Sequence, residues 1–382
     1  MSEQFQFGVD VLLAEHLDWL RGARVGLVAH AASVDAAGVP SATRLRVAGV
    51  NLAALFGPEH GFAGVAAAGE EVGEARHPEW QIPIHSLYGA TRKPTPEMLA
   101  NVDVLLFDLQ DLGVRCYTYS ATLRNILEAA AENHKAVIVL DRPVPLAGVV
   151  DGPLPEAPFM SFVAAIPVPF CYGLTPGQTA LWLCEKLELD LDLRVVAARG
   201  VPPSARWIPP SPAIRSPAHA LAYPATVLFE AFPALDVGRK KEHAFQGLEN
   251  GTMLSSKDWK KICEEVSRQL SVVSGRPSTD HEPLTTDLCG VHIAPLENGL
   301  RLRVTNLADY RPALVSVALV RAVQQVWGAD TLWGQNGARP DWFDKLLGTD
   351  RVRLALRAGA ELAEFGAMWD KDRAAFRREV AR

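Results

Sequence analysis

The chain has 382 residues, a formal net charge of −6, and a composition of 48 % hydrophobic and 21 % charged residues. This length predicts two domains with a large core, and the composition is typical of a soluble globular enzyme. The acidic balance argues against a nucleic-acid partner, because phosphate binding requires concentrated Lys and Arg. No stretch of about 20 apolar residues is present to span a bilayer, so no membrane partner is predicted.

The first residues and the cysteines indicate a cellular compartment. Met1 to Gln6 lack a basic region followed by an apolar one, so no secretory signal is predicted. The five cysteines are scattered and form no CxxC pair, which favours neither a zinc site nor a disulfide framework. We therefore expect a cytoplasmic protein, with export after removal of a leader as the alternative.

The first part of the chain alternates apolar runs with stretches of helical periodicity. Strands are predicted at Arg24–Ala29, Val50–Phe56, Val102–Leu109 and Ala136–Leu140. Helices are predicted at Ala42–Val47, from Pro96 onward with Thr95 as the N-cap, and at Tyr119–Asn133. Strands that alternate with helices indicate an α/β fold with a parallel sheet.

A helix predicted at Thr175–Leu187 and an extended segment at Leu193–Ala197 continue this pattern. The proline-rich segment Pro202–Pro217 follows, and its prolines require an extended chain. We interpret this segment as a crossing between domains rather than a disordered linker, because Trp207 and Ile208 offer burial in its middle.

The last third of the chain has no strict alternation and predicts a smaller α+β domain. Its predicted elements are an amphipathic helix at Trp259–Leu270, strands at Gly290–Pro295 and Leu300–Thr305 around an Asn298-Gly299 turn, and helices at Val315–Trp327 and Arg351–Met368. We therefore divide the chain into residues 1–205 and residues 206–382.

The stretch Leu55 to Phe62 carries the strongest functional signal. A predicted buried strand ends at Gly57-Pro58, and Glu59 and His60 follow at once. Ligands bind at the carboxyl ends of parallel strands, so this pattern indicates an acid held in place at the sheet edge. Apolar neighbours such as Phe56 and Phe62 would disfavour the ionised carboxyl, which suits a general acid. A solvated turn and a helix-capping glutamate are the alternatives.

Further candidate side chains fall at strand ends or in crossing segments. They are His30; Asp108 with Asp111, Arg115, Tyr117 and Tyr119; Asp141 with Arg142; and Tyr223 to Glu230 with Arg239. The ends of neighbouring parallel strands lie side by side, so residues far apart in sequence can share one cleft.

Each of these candidates also has a structural interpretation. Asp111 and Asp141 are candidates for a second carboxylate, but Asp111 also suits a pair with Arg115 at helical spacing, and Asp141 also suits fixing its loop. Arg115, Arg142 and Arg239 suit an anion, since a guanidinium binds a carboxylate through two hydrogen bonds. They equally suit bracing of loops.

Tyr117 and Tyr119 suit stacking on a sugar or simple packing. In an extended chain, at most one of them would face the site.

Several motifs are absent from the sequence. No GxGxxG follows the first predicted strand, and neither a GxxxxGK[ST] phosphate loop nor a GxSxG nucleophile elbow is present. The histidines lack tight metal-ligand spacing. We therefore predict neither a metal nor a cofactor, and we disfavour a nucleotide-dependent enzyme.

The sequence resembles the bacterial exo-β-N-acetylmuramidases of the NamZ type, long known only as a domain of unknown function. The matching words, in chain order, are Val25-Gly26-Leu27-Val28, Phe56-Gly57-Pro58-Glu59-His60-Gly61-Phe62, Ala68-Gly69-Glu70, Ser86-Leu87-Tyr88-Gly89 with Lys93-Pro94-Thr95, Phe107 through Tyr119, Leu140-Asp141-Arg142-Pro143, Pro209-Pro210-Ser211-Pro212, Tyr223-Pro224, Leu228-Phe229-Glu230, Gly238-Arg239, Phe343-Asp344 and Gly348-Thr349-Asp350. They cover nearly the full length.

The resemblance implies a Rossmann-like catalytic domain and a C-terminal auxiliary domain that forms the other wall of a cleft. It implies removal of terminal N-acetylmuramic acid from the non-reducing end of peptidoglycan fragments, in cell-wall recycling. The essential glutamate of the family falls on Glu59. Catalytic candidates are then Glu59, His60, Asp111 and Asp141. The substrate-binding candidates are His30, Glu70, Arg115, Tyr117, Tyr119, Arg142, Tyr223, Glu230 and Arg239.

The sequence departs from the family pattern at several positions. Val144 and Ala213 stand where asparagines are usual, and Gln178 stands where Glu is usual. Ala225 and Ala231 replace glycines, and Lys240-Lys241 follows Gly238-Arg239. Two lost amides remove hydrogen bonds that a sugar would use. The alternative function is therefore a catalytically weakened sugar-binding or regulatory member of the same family.

Overall fold

The computed structural model describes residues 5–201, 207–250, 253–275, 288–335 and 337–381. The chain divides into two compact units, each built from separate segments. The first unit comprises Met1–Leu112, Tyr117–Ala147 and Leu174–Ser216, and the second comprises Gly113–Cys116, Gly148–Gly173 and Pro217–Arg382. The domain boundary predicted between residues 205 and 206 lies outside the described residues.

A seven-stranded sheet forms the centre of the first unit. Its strands are β1 (Val25–Ala29), β2 (Leu52–Gly57), β3 (Ala75–Arg76), β4 (Pro83–Ser86), β5 (Val104–Asp108), β6 (Ala136–Leu140) and β7 (Leu193–Val196). The order across the sheet is β3-β4-β2-β1-β5-β6-β7. Every neighbouring pair is parallel except β3 with β4. The predicted α/β fold with a parallel sheet is confirmed.

In the first unit one helix precedes β1 and four helices lie between successive strands. They are α1 (Gly8–Glu15), α2 (Ser41–Val47), α3 (Pro96–Leu99), α4 (Tyr119–Glu132) and α5 (Pro176–Lys186). The predicted Thr95 cap is confirmed, since its hydroxyl accepts from the Met98 N–H, and Thr175 caps α5 in the same way by accepting from the Gln178 N–H. Every residue of β1 is buried, as expected of a central parallel strand covered on both faces.

The second unit combines helices with a small antiparallel sheet. The strands β8 (Gly247–Glu249), β9 (Val291–Leu296) and β10 (Gly299–Val304) pair in the order β8-β10-β9. The helices are α6 (Pro217–Thr226), α7 (Ser256–Ser274), α8 (Pro312–Trp327), α9 (Ala329–Gly334), α10 (Pro340–Leu347), α11 (Arg351–Arg357) and α12 (Leu362–Val380). The predicted hairpin is confirmed, but its two-residue turn is Glu297-Asn298 rather than the predicted Asn298-Gly299, because Gly299 pairs with Leu296 and begins β10.

One predicted element of the second unit is wrong. The periodicity over Arg351–Met368 predicted a single helix, but the chain forms α11 and α12 instead. Gly359 has a φ of 82°, a left-handed conformation that commonly follows the end of a helix. The helical periodicity of apolar residues continues on both sides of this glycine. Periodicity alone therefore does not show that one helix ends and another begins.

The strand order indicates where a ligand would bind on the first sheet. The strands β2 and β5 flank β1. The chain first adds strands on one side of β1, from β2 to β4, and then adds β5 to β7 on the other side. Ligands of such folds bind outside the carboxyl ends of the strands at this point of reversal. The residues that emerge there are His30 after β1, Glu59 and His60 after β2, and the segment 109–111 after β5. Among the described residues, no helix is long and apolar enough to cross a membrane.

Gly57, the last residue of β2, lets the chain fold back sharply. A Cβ at this position would lie 2.5 Å from the backbone nitrogen of Phe62. The tight return of residues 58–62 over the strand end therefore requires the absence of a side chain here.

We expect Gly57→Ala to destabilise the protein by about 1–3 kcal/mol, because a backbone atom cannot move aside as a flexible side chain can. Gly73→Ala is the matched control, since a methyl group there meets no atom within 4 Å. Urea unfolding of both variants checks the prediction. Equal midpoints for the two variants would contradict it.

Candidate active site at the carboxyl edge of the sheet

The carboxylate of Glu59 accepts hydrogen bonds from three different segments of the first unit. The Thr118 hydroxyl donates to Oε2 at 2.6 Å, and the Gly69 backbone N–H donates to Oε1 at 2.9 Å. The Tyr88 side chain forms a third hydrogen bond to the carboxylate. The side chain of Glu59 is nearly buried, with 9 % of its surface exposed. This setting differs from the apolar one that Phe56 and Phe62 predicted, because three polar donors surround the carboxyl.

Two loops hold these donors in place. The Ala67 backbone N–H donates to the Glu70 carboxylate at 2.8 Å, which closes the loop that presents Gly69. The Val72 N–H donates to the Tyr88 carbonyl at 2.9 Å and joins that loop to the loop of Tyr88. Burial, and next the charge of Glu59, raise the pKa of Tyr88, so its hydroxyl keeps its proton and acts as a donor.

His60 follows Glu59 in a strained backbone conformation. Its φ is 72°, in the left-handed region that non-glycine residues rarely adopt. The imidazole donates from Nδ1 to the Ala66 carbonyl at 2.8 Å, and the Ala66 N–H donates back to the His60 carbonyl at 3.2 Å. The Nδ1–H bond leaves Nε2 as the basic nitrogen of the neutral ring.

A pair of buried tyrosines continues the site. The rings of Tyr117 and Tyr119 meet edge to face, with centroids 4.8 Å apart. Residues 115–118 form turns and α4 begins at Tyr119, so the chain is not extended here and both rings lie together. Burial raises the pKa of both tyrosines, and the charges of Glu59 and Asp111 add to this rise. Glu59 and Asp111 therefore both lie close to this pair.

The proline-rich segment belongs to the first unit through Ser216 and reaches the tyrosine pair. The Tyr119 hydroxyl donates to the Pro210 carbonyl at 2.7 Å, and Ser211 lies near the Tyr117 side chain. The predicted crossing segment therefore supplies a wall of the site, although its residues 202–206 lie outside the described part of the chain.

His30 braces the strand ends beneath these tyrosines. Its Nε2 accepts from the Gln110 backbone N–H at 3.0 Å, so Nδ1 carries the proton and lies 3.3 Å from the Pro210 carbonyl. Burial lowers the pKa of His30 to about 3, and the charge of Arg142 adds to the fall. His30 is therefore neutral at physiological pH and links the ends of β1 and β5 to the proline-rich segment.

Asp111 follows β5 in a non-helical loop. Its Oδ1 accepts from the Leu112 backbone N–H at 2.5 Å. Gln110 fixes the same loop, since its side-chain amide donates to the Asp111 carbonyl at 3.0 Å and to the Pro143 carbonyl at 2.8 Å. The helical spacing that a pair with Arg115 required does not occur here.

Asp108 and Arg142 form a buried ion pair. The Arg142 guanidinium donates to both carboxylate oxygens of Asp108, at 2.5 and 3.1 Å, and to the Val34 carbonyl at 2.7 Å. It also lies 4.4 Å from the ring centroid of Phe7. This guanidinium joins the strand ends of β5 and β6 inside the fold.

Asp141 holds the start of α5. Its Oδ2 accepts from the Thr175 hydroxyl and its Oδ1 from the Gly177 backbone N–H, each at 2.8 Å. Burial raises the pKa of Asp141, and these two hydrogen bonds oppose the rise.

Arg115 lies in the second unit and is fully buried. Its guanidinium donates to the carbonyls of Pro153, Val168 and Leu347 at 2.9, 2.6 and 2.5 Å. Burial lowers the pKa of Arg115 to about 10, so the group stays cationic near neutral pH.

The remaining predicted residues cluster within the second unit. The Arg239 guanidinium donates to the Glu230 carboxylate and lies 5.5 Å from the ring centroid of Phe245. Tyr223 packs edge to face on the same ring, with centroids 4.8 Å apart, and its hydroxyl accepts from the Cys116 thiol at 3.7 Å. Burial raises the pKa of this thiol to about 12.

The predicted residues thus divide into three groups. Those that surround the Glu59 carboxyl or the adjoining tyrosine pair are His30, Glu59, His60, Glu70, Asp111, Tyr117 and Tyr119. Those that brace the first unit are Asp141 and Arg142. Those placed in the second unit are Arg115, Tyr223, Glu230 and Arg239.

Sequence reasoning missed Thr118 and Tyr88 as partners of Glu59. Both stand inside words of the family pattern, but a lone hydroxyl carries no spacing signal that links it to a glutamate. Their contact with Glu59 depends on how three separate loops fold, and local sequence does not report this.

Two family models cover almost the whole chain. The N-terminal domain of the exo-β-N-acetylmuramidase NamZ matches residues 25–218, and the C-terminal domain of the same enzyme matches residues 221–382. The chain belongs to the NamZ family.

One curated NamZ relative and two solved structures are similar to the chain. The peptidoglycan β-N-acetylmuramidase NamZ of Bacillus subtilis (strain 168) is 45 % identical over 193 residues, which is 50 % of this chain and 47 % of the relative. The match therefore spans about half the length of that protein. Two DUF1343 family proteins of Bacteroides fragilis NCTC 9343 have the same fold. One has a TM-score of 0.84 at 29 % identity and the other 0.70 at 24 % identity, and each match covers 99 % of this chain and 98 % of the other.

Because His30 is buried in its neutral form, the stability of this NamZ-family protein should fall in acid. The unfolded state binds a proton on His30 below about pH 6.5 and the folded state does so only near pH 3, so stability is complete above pH 6.5 and declines below it. The contribution lost between pH 6.5 and pH 5 is about 2 kcal/mol.

Urea unfolding at pH 7.5 and pH 5 measures this effect. His30→Gln should lower stability at both pH values while reducing the difference between them by about 2 kcal/mol. His134→Asn is the control, because His134 is exposed and Asn tolerates its left-handed backbone. An unchanged pH difference in His30→Gln would show that His30 is not the group responsible.

Proposed function

We propose that the protein is an exo-acting glycoside hydrolase that releases β-1,4-linked N-acetylmuramic acid, or a related sugar, from the non-reducing end of peptidoglycan fragments. Glu59 is the general acid in this proposal. The hydrogen-bonded carboxyl of Glu59 at the edge of the central sheet carries it. Similarity to a protein named as a peptidoglycan β-N-acetylmuramidase supports the substrate class.

The two oxygens of Glu59 differ in the partners they have, which decides where the acidic proton sits. Oε1 accepts from the Gly69 backbone N–H, a donor that cannot reverse its role. Oε2 faces the Thr118 hydroxyl, which accepts as readily as it donates. Oε2 can therefore carry the proton of the acid form while the Thr118 hydroxyl accepts from it. From there it passes to the glycosidic oxygen as the bond to the muramic acid breaks.

Asp111 is the stronger of the two candidates for a second carboxylate. The charges of Asp111 and Glu59 both raise the pKa of Tyr117 and Tyr119, which indicates that both carboxylates lie in the neighbourhood of that pair. Both carboxylate oxygens of Asp141, in contrast, hold the start of α5. The acetamido group of the substrate is itself a potential nucleophile, and Asp111 would then orient its N–H. His60 offers Nε2 to the incoming water.

The alternative function is a weakened sugar-binding or regulatory member of the family. Val144, which is buried, and Ala213, which is partly buried, supply no amide where family members carry asparagine. The loss of these two amides would weaken sugar recognition, and this expectation is the basis of the alternative. Cytoplasmic localisation stays a prediction from the sequence.

Glu59→Gln tests the acid directly. We expect kcat to fall by about 10³-fold on a muramic acid–glucosamine disaccharide, whose leaving group needs a proton, and by about tenfold or less on a 2,4-dinitrophenyl muramide, whose leaving group does not. Glu79→Gln, an exposed glutamate of the same unit, should leave both activities unchanged.

Rates on both substrates separate the possible outcomes. Equal losses on the two substrates would show that Glu59 does not act as the acid. If the wild-type protein binds the disaccharide but hydrolyses neither substrate, the sugar-binding alternative replaces the hydrolase.

A further inference from the structure

The three arginines that the sequence predicted as anion-binding groups are all engaged within their own units. Arg142 pairs with Asp108, Arg115 donates to three backbone carbonyls, and Arg239 pairs with Glu230. The substrate class proposed above nevertheless carries an anion. Muramic acid differs from glucosamine by a lactyl ether at C3, which ends in a carboxylate.

Arg92 is a fourth arginine, and it lies next to the Glu59 site. Its guanidinium is exposed and stands over the ring of Tyr88, 4.7 Å from the ring centroid. The Tyr88 side chain is hydrogen-bonded to Glu59. One tyrosine side chain therefore connects the proposed acid to a cation, with the guanidinium on the ring face and the carboxyl at the hydroxyl end.

We propose that Arg92 binds the lactyl carboxylate of the terminal muramic acid and so sets the specificity of the site for muramic acid over glucosamine. This inference rests on the proposed hydrolase function. The acid contacts the oxygen at C1 of the sugar, and the lactyl group leaves C3 of the same ring. The acid and the anion-binding group must therefore serve the same sugar ring, and Tyr88 has Arg92 over its ring and Glu59 at its hydroxyl.

The backbone around Arg92 is fixed, which allows its side chain to act from a defined position. The Asn125 side chain on α4 donates to the Arg92 carbonyl at 2.7 Å. The neighbouring Thr91 hydroxyl donates to the Lys93 carbonyl at 2.7 Å, and the Lys93 ammonium donates to Glu132 at 2.6 Å. A guanidinium stacked on an aromatic ring loses less side-chain freedom on binding than a mobile one.

The charges near Tyr88 explain why a cation such as Arg92 would help an anionic substrate to bind. Glu59 and Glu71 both raise the pKa of Tyr88, which places two carboxylates near this hydroxyl, while Arg92 lowers it. A substrate carboxylate that approaches Glu59 meets repulsion from this acidic surface. A guanidinium offsets that repulsion and offers two parallel N–H donors that match a carboxylate.

Three chromogenic 4-nitrophenyl β-glycosides test the proposal: that of N-acetylmuramic acid, that of its neutral lactyl amide, and that of N-acetylglucosamine. We expect the wild-type protein to prefer the acid over the amide by about 10–100-fold in kcat/KM, as one charged bidentate contact provides. In Arg92→Gln this preference should fall to within about threefold, while kcat/KM on the amide changes little. Arg92→Lys should keep part of the preference, because it retains the charge but not the fork.

Arg124→Gln is the matched control, since it removes a nearby positive charge that pairs with Glu128. It should leave the acid-to-amide preference unchanged. Equal losses on acid and amide in Arg92→Gln, or a wild-type protein that does not distinguish them, would overturn the role of Arg92.

If the wild-type protein releases no nitrophenol from any muramide, the hydrolase proposal fails on its own. The same acid-to-amide comparison is then made by calorimetric binding of free N-acetylmuramic acid and its amide. Equal affinities of wild type and Arg92→Gln for the free acid would overturn the proposal in that case as well.

Discussion

The set of hydrogen bonds on the Glu59 carboxylate is the constraint around which the first unit is arranged. Three donors reach it from the loop of Gly69, the loop of Tyr88 and the start of α4. Each segment leaves a different part of the sheet, so the carboxylate fixes their mutual positions. Since a partly buried carboxylate without donors would be costly, the same contacts stabilise the fold and aim the functional group.

The structure also separates the polar residues that stabilise the fold from those that lie at the candidate site. Arg142, Asp141 and His30 look alike to sequence analysis, as polar residues after strands, yet each satisfies a partner inside the fold. These three side chains stabilise the ends of strands and the start of a helix. At these points backbone groups have no partner within the sheet. Glu59 and His60 differ because they emerge at the carboxyl edge of the sheet, and His60 does so with a strained backbone.

Much of the fold could be predicted from the sequence, because buried apolar residues recur with the period of a helix or a strand. Strands β1, β2, β5 and β6, the capped helices and the hairpin were all predicted, and so was the position of Glu59 just after a buried strand. The Thr118 contact lies 59 residues away and the break at Gly359 interrupts one continuous amphipathic pattern, so neither leaves a local trace. The roles of the arginines depended on counter-ions such as Asp108, whose pairing only the tertiary structure reveals.

The Pro210 carbonyl accepts a hydrogen bond from the Tyr119 hydroxyl and lies next to the His30 ring. A main-chain oxygen therefore holds the proline-rich segment in place. An attachment of this kind is indifferent to side-chain identity. Neighbouring positions such as Ala213 are therefore free to diverge without releasing the segment from the tyrosines. Substitutions in this segment can therefore change its surface without loosening its attachment to the first unit.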